Sequence, residues 1–170
     1  KVTKHLRIIE QEIATADRII LNFMDYALLK EPVVQPSDIK GIVLAALSEA
    51  SLPNPWEVGL HLPDDLPTLM ADAAQLQRAF TNIILRITEE LPEGGKLQIS
   101  ATAPNGFVEV GFRAPGLVIP QENLTAAAPS TSADEMGMIV SKRLVEGNGG
   151  TMEVRCVPGE GTVFTVRLPL

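Results

Sequence analysis

The chain has 170 residues, a hydrophobic fraction of 45%, a formal net charge of −7 and a single cysteine, Cys156. This length suits one domain with an appendage, the acidic balance disfavours nucleic acid or an anionic membrane as the main partner, and one cysteine excludes an internal disulfide framework. No apolar run is long enough for a membrane span, and no signal-peptide pattern opens the chain. The single cysteine suits a reducing cytosol, so a cytoplasmic location is expected. Because the chain starts at Lys1, we expect a piece of a longer protein, in which membrane or sensory segments could lie upstream.

The first 31 residues are predicted to form one long helix. Apolar residues recur there at alternating spacings of four and three, which is the heptad pattern of a coiled coil or a four-helix bundle. The heptad positions are Val2, Leu6, Ile9, Ile13, Ala16, Ile20, Phe23 and Ala27. A helix that dimerises is favoured over the alternative, a helix that packs only on its own domain.

A proline-rich stretch, "KEPVVQPSD", ends this helix, because Pro32 and Pro36 cannot continue it. We therefore place a linker at 32–36 and a second domain at 37–170. At the start of that domain, Ser37 is predicted to cap a helix.

The middle of the chain mixes strand and helix patterns. "WEVGLHLP" alternates in polarity and predicts a strand, with His61 pointing away from the core. A short strand, "LPTLMAD", leads to Asp72, which with Gln75 predicts a capping box at the start of a helix over 73–92.

The last part of the chain predicts four strands and one helix. "KLQISATA" and "FVEVGF" are joined by an Asn-Gly hairpin turn at 105–106. A loop rich in Ala, Ser and Thr follows at 117–133, then a helix from about Asp134 to Glu146. The strands "TMEVRCV" and "TVFTVRL" close the chain, with Cys156 interpreted as a buried thiol. The predicted fold is α+β, a two-layer sandwich with helices on one face of a mixed sheet.

Three stretches now show a resemblance to a known family. "DAAQLQRAFTNII", "LPEGGKLQIS" and "KRLVEGNGGTMEVRCVPGEGTVFTVRLPL" resemble the catalytic ATP-binding domain of sensor histidine kinases. "HLRIIEQEIATADRIILNFMDYALLKEP" is similar to the second helix of their dimerisation and phosphotransfer hairpin. The resemblance implies a Bergerat-type sandwich, dimerisation through 1–31, and ATP-dependent phosphorylation of a histidine on a first hairpin helix that this chain lacks. The phosphoryl group then passes to a response-regulator aspartate.

The chain departs from the family on the helix predicted at 73–92. The family's magnesium-binding asparagine falls on Arg86, whereas its earlier asparagine matches Asn82. Arginine has donors and no acceptor, so it cannot ligate a metal. It can pair with phosphate, or simply lay its stem along apolar surface.

A second departure lies in the family motif D-x-G-x-G. Phe112 and Ala114 replace the acid and the first glycine, and Gly116 is kept. The resemblance implies that the acid accepts a hydrogen bond from the adenine amino group, which phenylalanine cannot do. Because Val108, Val110 and Phe112 share one face of a strand, the ring is expected to fill the base pocket. A Cβ at Ala114 is also unwelcome if the backbone must approach closely.

A third departure lies at the start of the last helix, where the family's G-x-G becomes Glu135-Met136-Gly137. A helix N-terminus welcomes phosphate, but a glutamate there repels it. The 117–133 loop also has no basic residue to clamp a triphosphate. These changes predict that the nucleotide chemistry is lost, so no cofactor is expected, and ATP with Mg²⁺ only if the divergent pocket still binds.

Three functions follow as hypotheses. The favoured one is a degenerate histidine kinase, a pseudokinase that signals through dimerisation and partner contacts. An active kinase with a divergent pocket is the main alternative, and an anti-sigma-type serine kinase or regulator is disfavoured by the heptad helix. Neither His5 nor His61 is a good phospho-acceptor candidate.

The expected partners are a second copy or an active kinase, bound through 1–31, and a response regulator. The fragment itself is expected to contact neither nucleic acid nor membrane. Acidic residues on the first helix are weak candidates for the regulator-binding face: Glu10, Glu12, Asp17 and Asp25.

Overall fold

The computed structural model describes residues 2–28, 30–52, 55–119, 133–157 and 159–170. The helices are α1 (Val2–Ala27), α2 (Ile39–Ala50), α3 (Ala73–Glu90) and α4 (Ala133–Gly147). The strands are β1 (Gln35–Ser37), β2 (Glu57–His61), β3 (Leu69–Ala71), β4 (Lys96–Thr102), β5 (Phe107–Ala114), β6 (Thr151–Val157) and β7 (Gly161–Pro169). Within these ranges, no helix has both the length and the apolar content that a bilayer crossing demands.

The main sheet has five strands in the order β2-β4-β5-β7-β6. Strand β2 runs parallel to β4, and the other neighbours are antiparallel. One face of the sheet packs on a helical layer in which α3 lies between α2 and α4, and α1 contacts α4. Alternate residues of β5 are buried, as expected for a sheet with one covered face. The predicted two-layer sandwich is confirmed.

Most of the apolar stripe of α1 stays exposed in the part of the chain that the structure describes. Its heptad residues Leu6, Ile9, Ile13, Ile20 and Phe23 are each 54–59% exposed. A helix in a protein gains most of its stability by packing such a stripe against other parts of the structure. The contact with α4 leaves this stripe open, and dimerisation through it stays a prediction.

Local signals placed several elements correctly. Asn105 and Gly106 have φ values of 51° and 82°, the positive values that a type I′ hairpin turn requires. Asp72 caps α3 by accepting a hydrogen bond from the Gln75 N–H at 3.0 Å. The helix ends at Glu90, two residues before the predicted end.

The prediction that Ser37 caps α2 is wrong. The cap is Asp38, whose carboxylate accepts hydrogen bonds from the Lys40 and Gly41 N–H groups at 3.1 and 3.0 Å. Ser37 instead ends β1, a strand that sequence analysis missed, and its buried hydroxyl donates to the Ala71 carbonyl at 2.9 Å. Both residues are good caps, and pairing with β3 commits Ser37 elsewhere.

The two edge strands of the main sheet are less covered than predicted. Val58 and Leu60 lie in register with the buried Leu97 and Ile99, hence on the core face, yet they are 40% and 46% exposed. Cys156 on β6 is only half-buried, which corrects its interpretation as a buried thiol. An edge strand has one neighbour instead of two, so its side chains lose cover on one side.

A hydrogen-bond cluster around Asn148 joins three parts of the chain. The Asp72 N–H donates to Asn148 Oδ1 at 2.7 Å, and Asn148 Nδ2 donates to Gln75 Oε1 at 3.0 Å. The segment that follows α1 enters the same cluster. The Val33 N–H donates to Asp72 Oδ2 at 2.9 Å, and Gln75 Nε2 donates to the Lys30 carbonyl at 3.0 Å. Asn148 thus takes the bond that Gln75 would return in a capping box.

Candidate functional site

Asn82 lies where α3 meets α4. Its side chain is 9% exposed, and Nδ2 donates to the Gly137 carbonyl at 3.4 Å. The fully buried Ser141 hydroxyl donates to the same carbonyl at 2.8 Å and to the Ala79 carbonyl at 3.3 Å. The structure therefore brings two predicted site residues, Asn82 and Gly137, into direct contact, as part of the packing of two helices.

Arg86 follows Asn82 by one helical turn. Its side chain is only 13% exposed, and its guanidinium pairs with Glu90 one turn further along α3. Such i,i+4 pairs contribute a few tenths of a kcal/mol on an exposed helix, and more when water is partly excluded. A carboxylate therefore sits next to the guanidinium of Arg86.

Phe112 lies in the hydrophobic core. It is fully buried, as are Val108 and Val110 on the same face of β5, so this face looks toward the helices as the alternation predicts. The ring centroid lies 5.2 Å from that of Phe80 on α3, with the planes tilted by 56°. This is a favourable aromatic arrangement. This contact joins the sheet to the central helix, α3.

The turn after β5 is held tightly against β7. The Leu117 N–H donates to the Ala114 carbonyl at 3.2 Å, with Gly116 between them. The fully buried Thr162 hydroxyl donates to the Leu117 carbonyl at 2.9 Å and accepts from the Ile119 N–H at 3.3 Å. Thr162 therefore satisfies the backbone of this buried segment, and sequence patterns gave no signal for that role.

The remaining predicted site residue, Glu135, lies in the first turn of α4, which begins at Ala133. The predicted lid at 117–133 falls largely outside the described residues, which stop at Ile119 before α4 begins. In the described ranges, no group of three or more His, Cys, Asp or Glu side chains is arranged to hold a metal ion. The predicted site residues thus include a buried aromatic ring, Phe112, and two side chains with donor groups on α3, Asn82 and Arg86.

Comparisons with known proteins agree with this architecture. Residues 71–170 match the model of the family described as histidine kinase-, DNA gyrase B-, and HSP90-like ATPase. Sporulation kinase E of Bacillus subtilis is 24% identical over 98% of this chain and 24% of its own length. Adaptive-response sensory kinase SasA of Synechococcus sp. (strain CC9902) is 25% identical over 99% of this chain and 47% of its own length. This chain therefore spans less than half of either relative.

A solved structure is also similar. The histidine kinase ThkA, in complex with response regulator protein TrrA, superposes with a TM-score of 0.78 at 16% identity, over 99% of this chain and 51% of that one. At this identity the likeness concerns the fold. Together with the match over 71–170, it shows that the chain belongs to the family of histidine kinase-, DNA gyrase B- and HSP90-like ATPases, with the fold of a histidine kinase catalytic domain.

Proposed function

We propose that this chain is the cytoplasmic core of a two-component sensor kinase that signals without ATP chemistry, through dimerisation and partner contacts. The observation that carries the proposal is the full burial of Phe112 against Phe80. A polar site that recognises an N–H group discriminates by about 10⁴-fold or more, because an unmatched polar group pays its desolvation cost. Here adenine would meet an aromatic ring instead of a carboxylate.

The residues on α3 also do not fit a magnesium-bridged triphosphate. Mg²⁺ requires oxygen ligands, whereas Arg86 has none and is paired with Glu90. The Asn82 amide is buried between helices, where its nitrogen donates to Gly137. No step of a phosphotransfer is therefore assigned to these residues.

Mg-ATP titration by calorimetry tests this proposal. We expect no measurable heat from the natural chain at ligand concentrations up to 1 mM, because the base position is occupied by Phe112. The comparison variant combines Phe112→Asp with Arg86→Asn, which restores the acid and the metal-binding amide. A melting curve recorded on each protein verifies that the buried aspartate has not unfolded it.

Micromolar binding by the natural chain would refute the proposal and favour an active kinase with a divergent pocket. Heat from the folded double variant alone would support a pocket that Phe112 and Arg86 block. If neither protein binds, the site has lost more than these two residues, and the absence of ATP chemistry still stands.

The dimer is proposed to form through α1. Five heptad residues, Leu6, Ile9, Ile13, Ile20 and Phe23, are each more than half exposed, and a sustained heptad is best buried against a second helix of the same kind. A second copy is therefore the proposed occupant. By analogy with ThkA, whose structure was solved with a response regulator protein, a response regulator is the proposed downstream partner.

Charges placed in the heptad stripe should separate the dimer. We expect Ile13→Glu with Ile20→Glu to abolish the α1-mediated step of association in sedimentation velocity, because each α1 dimer would then bury four carboxylates in an apolar seam. The matched control is Leu21→Glu, on the same helix and 52% exposed, but outside the heptad. Association that is as strong in the double variant as in the natural chain would show that α1 is not the interface.

A further inference from the structure

Strand β2 forms one edge of the main sheet in the part of the chain that the structure describes. Among the described strands, β2 pairs only with β4, so its other edge has no strand neighbour. Natural proteins usually blunt such edges with proline, lysine, inward-pointing charges or bulges. The strand from Glu57 to His61 contains no proline or lysine, and its five residues are all exposed.

An apolar strip lies along this edge. Val58 and Leu60 face the helical layer but are 40% and 46% exposed, so α2 does not cover them. The opposite edge strand differs, because Met152 and Val154 of β6 are partly buried against the core. The core-face side chains of β2 are therefore less covered than those of β6, the other edge strand.

Helix α2 also carries an exposed apolar side chain on its flank away from α3. On its inner flank, Glu49 accepts a hydrogen bond from Thr81 of α3 at 3.1 Å. On its outer flank, Lys40 pairs with Asp64 in the connection between β2 and β3. Leu44, which is 43% exposed, follows Lys40 by one turn and so lies on this outer flank.

The hydrogen bonds already made by β2 fix which backbone groups face outward. The Glu57 N–H donates to the Gly95 carbonyl at 2.9 Å, immediately before β4 begins. In a parallel ladder, alternate residues of a strand direct their N–H and C=O groups to the same neighbour. Residues 57, 59 and 61 therefore address β4, and Val58 and Leu60 present their backbone groups to the open edge.

We propose that a second copy of the chain pairs antiparallel with β2, about a two-fold axis at Gly59. In this register, Val58 and Leu60 of one copy each exchange two backbone hydrogen bonds with Leu60 and Val58 of the other. The same register places Val58 beside Leu60 on the apolar side. On the other side it places Glu57 opposite His61, an acid and a base, beside the Lys96 that already pairs with Glu57 at 2.9 Å.

The strand is self-complementary under this symmetry, and that is the reason to choose a second copy as the occupant. An isologous interface requires that one patch supply both halves of every contact. The five-residue strand does so with one acid–base pair and one apolar pair on each side of the axis, and cross-strand pairs of this kind stabilise antiparallel strands. This interface is separate from α1, so two kinds of contact on one chain would link α1 dimers into larger assemblies.

Disulfide trapping tests the register directly. At the axis, Gly59 faces Gly59 of the second copy in a pair without hydrogen bonds, where Cα atoms lie about 4.5 Å apart, within the range that a disulfide spans. A Cβ at Gly59 meets only Gln98 Cγ at 3.8 Å, an ordinary contact, so Gly59→Cys is tolerated. We expect Gly59→Cys in a Cys156→Ser background to form a crosslinked dimer under mild oxidation.

The matched control is Thr102→Cys, an exposed position at the end of β4, in the same background. Crosslinking of Gly59→Cys but not of the control would support the proposed pairing. Equal crosslinking of both variants, or none in a folded Gly59→Cys protein, would overturn it.

A second experiment needs no cysteine. Leu60→Glu should raise the dissociation constant of the β2-mediated step at least tenfold in sedimentation velocity, whereas Met70→Glu, 56% exposed on β3, should not. Run in the Ile13→Glu and Ile20→Glu background, the same pair of variants separates this step from α1 dimerisation. A β2 step that Leu60→Glu leaves unchanged would refute the proposal without bearing on α1.

Discussion

Replacing Phe112 with alanine is expected to lower the free energy of unfolding by about 3–5 kcal/mol, the range for deleting a large core side chain. The ring is fully buried and packs on Phe80, so its loss removes both apolar burial and an aromatic contact. Urea unfolding followed by circular dichroism measures the change.

The matched control is Phe107→Ala, the same substitution at the start of the same strand. Phe107 is 42% exposed, and its ring contacts the Arg167 guanidinium at 5.6 Å. Its removal should cost about 1 kcal/mol, from a partly exposed ring and an exposed cation–π contact. Equal losses at the two positions would contradict the assignment of Phe112 to the core and weaken the proposed plug.

Gly161→Ala is expected to cost more than about 4 kcal/mol, a range reached by few point substitutions. Its φ is +91°, and an added Cβ would lie 2.1 Å from the Ala114 carbonyl oxygen and 2.9 Å from the Gly116 nitrogen. Both obstacles are backbone atoms, so the turn after β5 would have to move away from β7. Thermal melting and the intensity of near-ultraviolet circular dichroism report the loss.

Gly159→Ala separates backbone conformation from contact. Gly159 has a similar φ of +79°, but an added Cβ meets nothing within 4 Å. Only the left-handed conformation is then penalised, at about 1–2 kcal/mol. If the two substitutions cost the same, the approach of β7 to the turn is looser than described.

The sequence predicted what depends on periodicity and short-range chemistry. Alternation assigned the faces of β5 and placed Phe112 toward the helices, and the Asn-Gly pair located the hairpin turn. These signals span a few residues, because a strand repeats every two and a helix every 3.6 residues. The histidine-kinase resemblance agrees with the order of elements that these patterns predict, and the family match supports it.

The predictions that failed concern contacts between residues that lie far apart in the chain. Strand β1 has three residues, one of them Pro36, and its partner β3 lies 34 residues away. No local pattern can show that Ser37 is used there and that Asp38 must take over the cap. Likewise, alternation gave the face of Val58 and Leu60 but not whether a helix covers it.

The candidate site shows the same division. The family motif directed attention to Arg86 and Phe112, but their partners were missed. Glu90 was available in sequence as the partner in an i,i+4 ion pair, whereas no local pattern paired Phe80 with the ring of Phe112. The role of Thr162, which comes 45 residues after Leu117, had no local signal.

The cluster around Asn148 has a mechanical consequence. The segment that follows α1 is hydrogen-bonded at the Lys30 carbonyl and the Val33 N–H. Its partners, the side chains of Gln75 and Asp72, lie at the start of α3, which Asn148 joins to the end of α4. A rotation of α1 about its axis is therefore expected to act on the start of α3 and the end of α4 through these hydrogen bonds. Conversely, fraying of the last turn of α4 would also free the segment that Lys30 and Val33 anchor. The amide hydrogens of Asp72 and Val33 should therefore exchange with solvent as one cooperative unit.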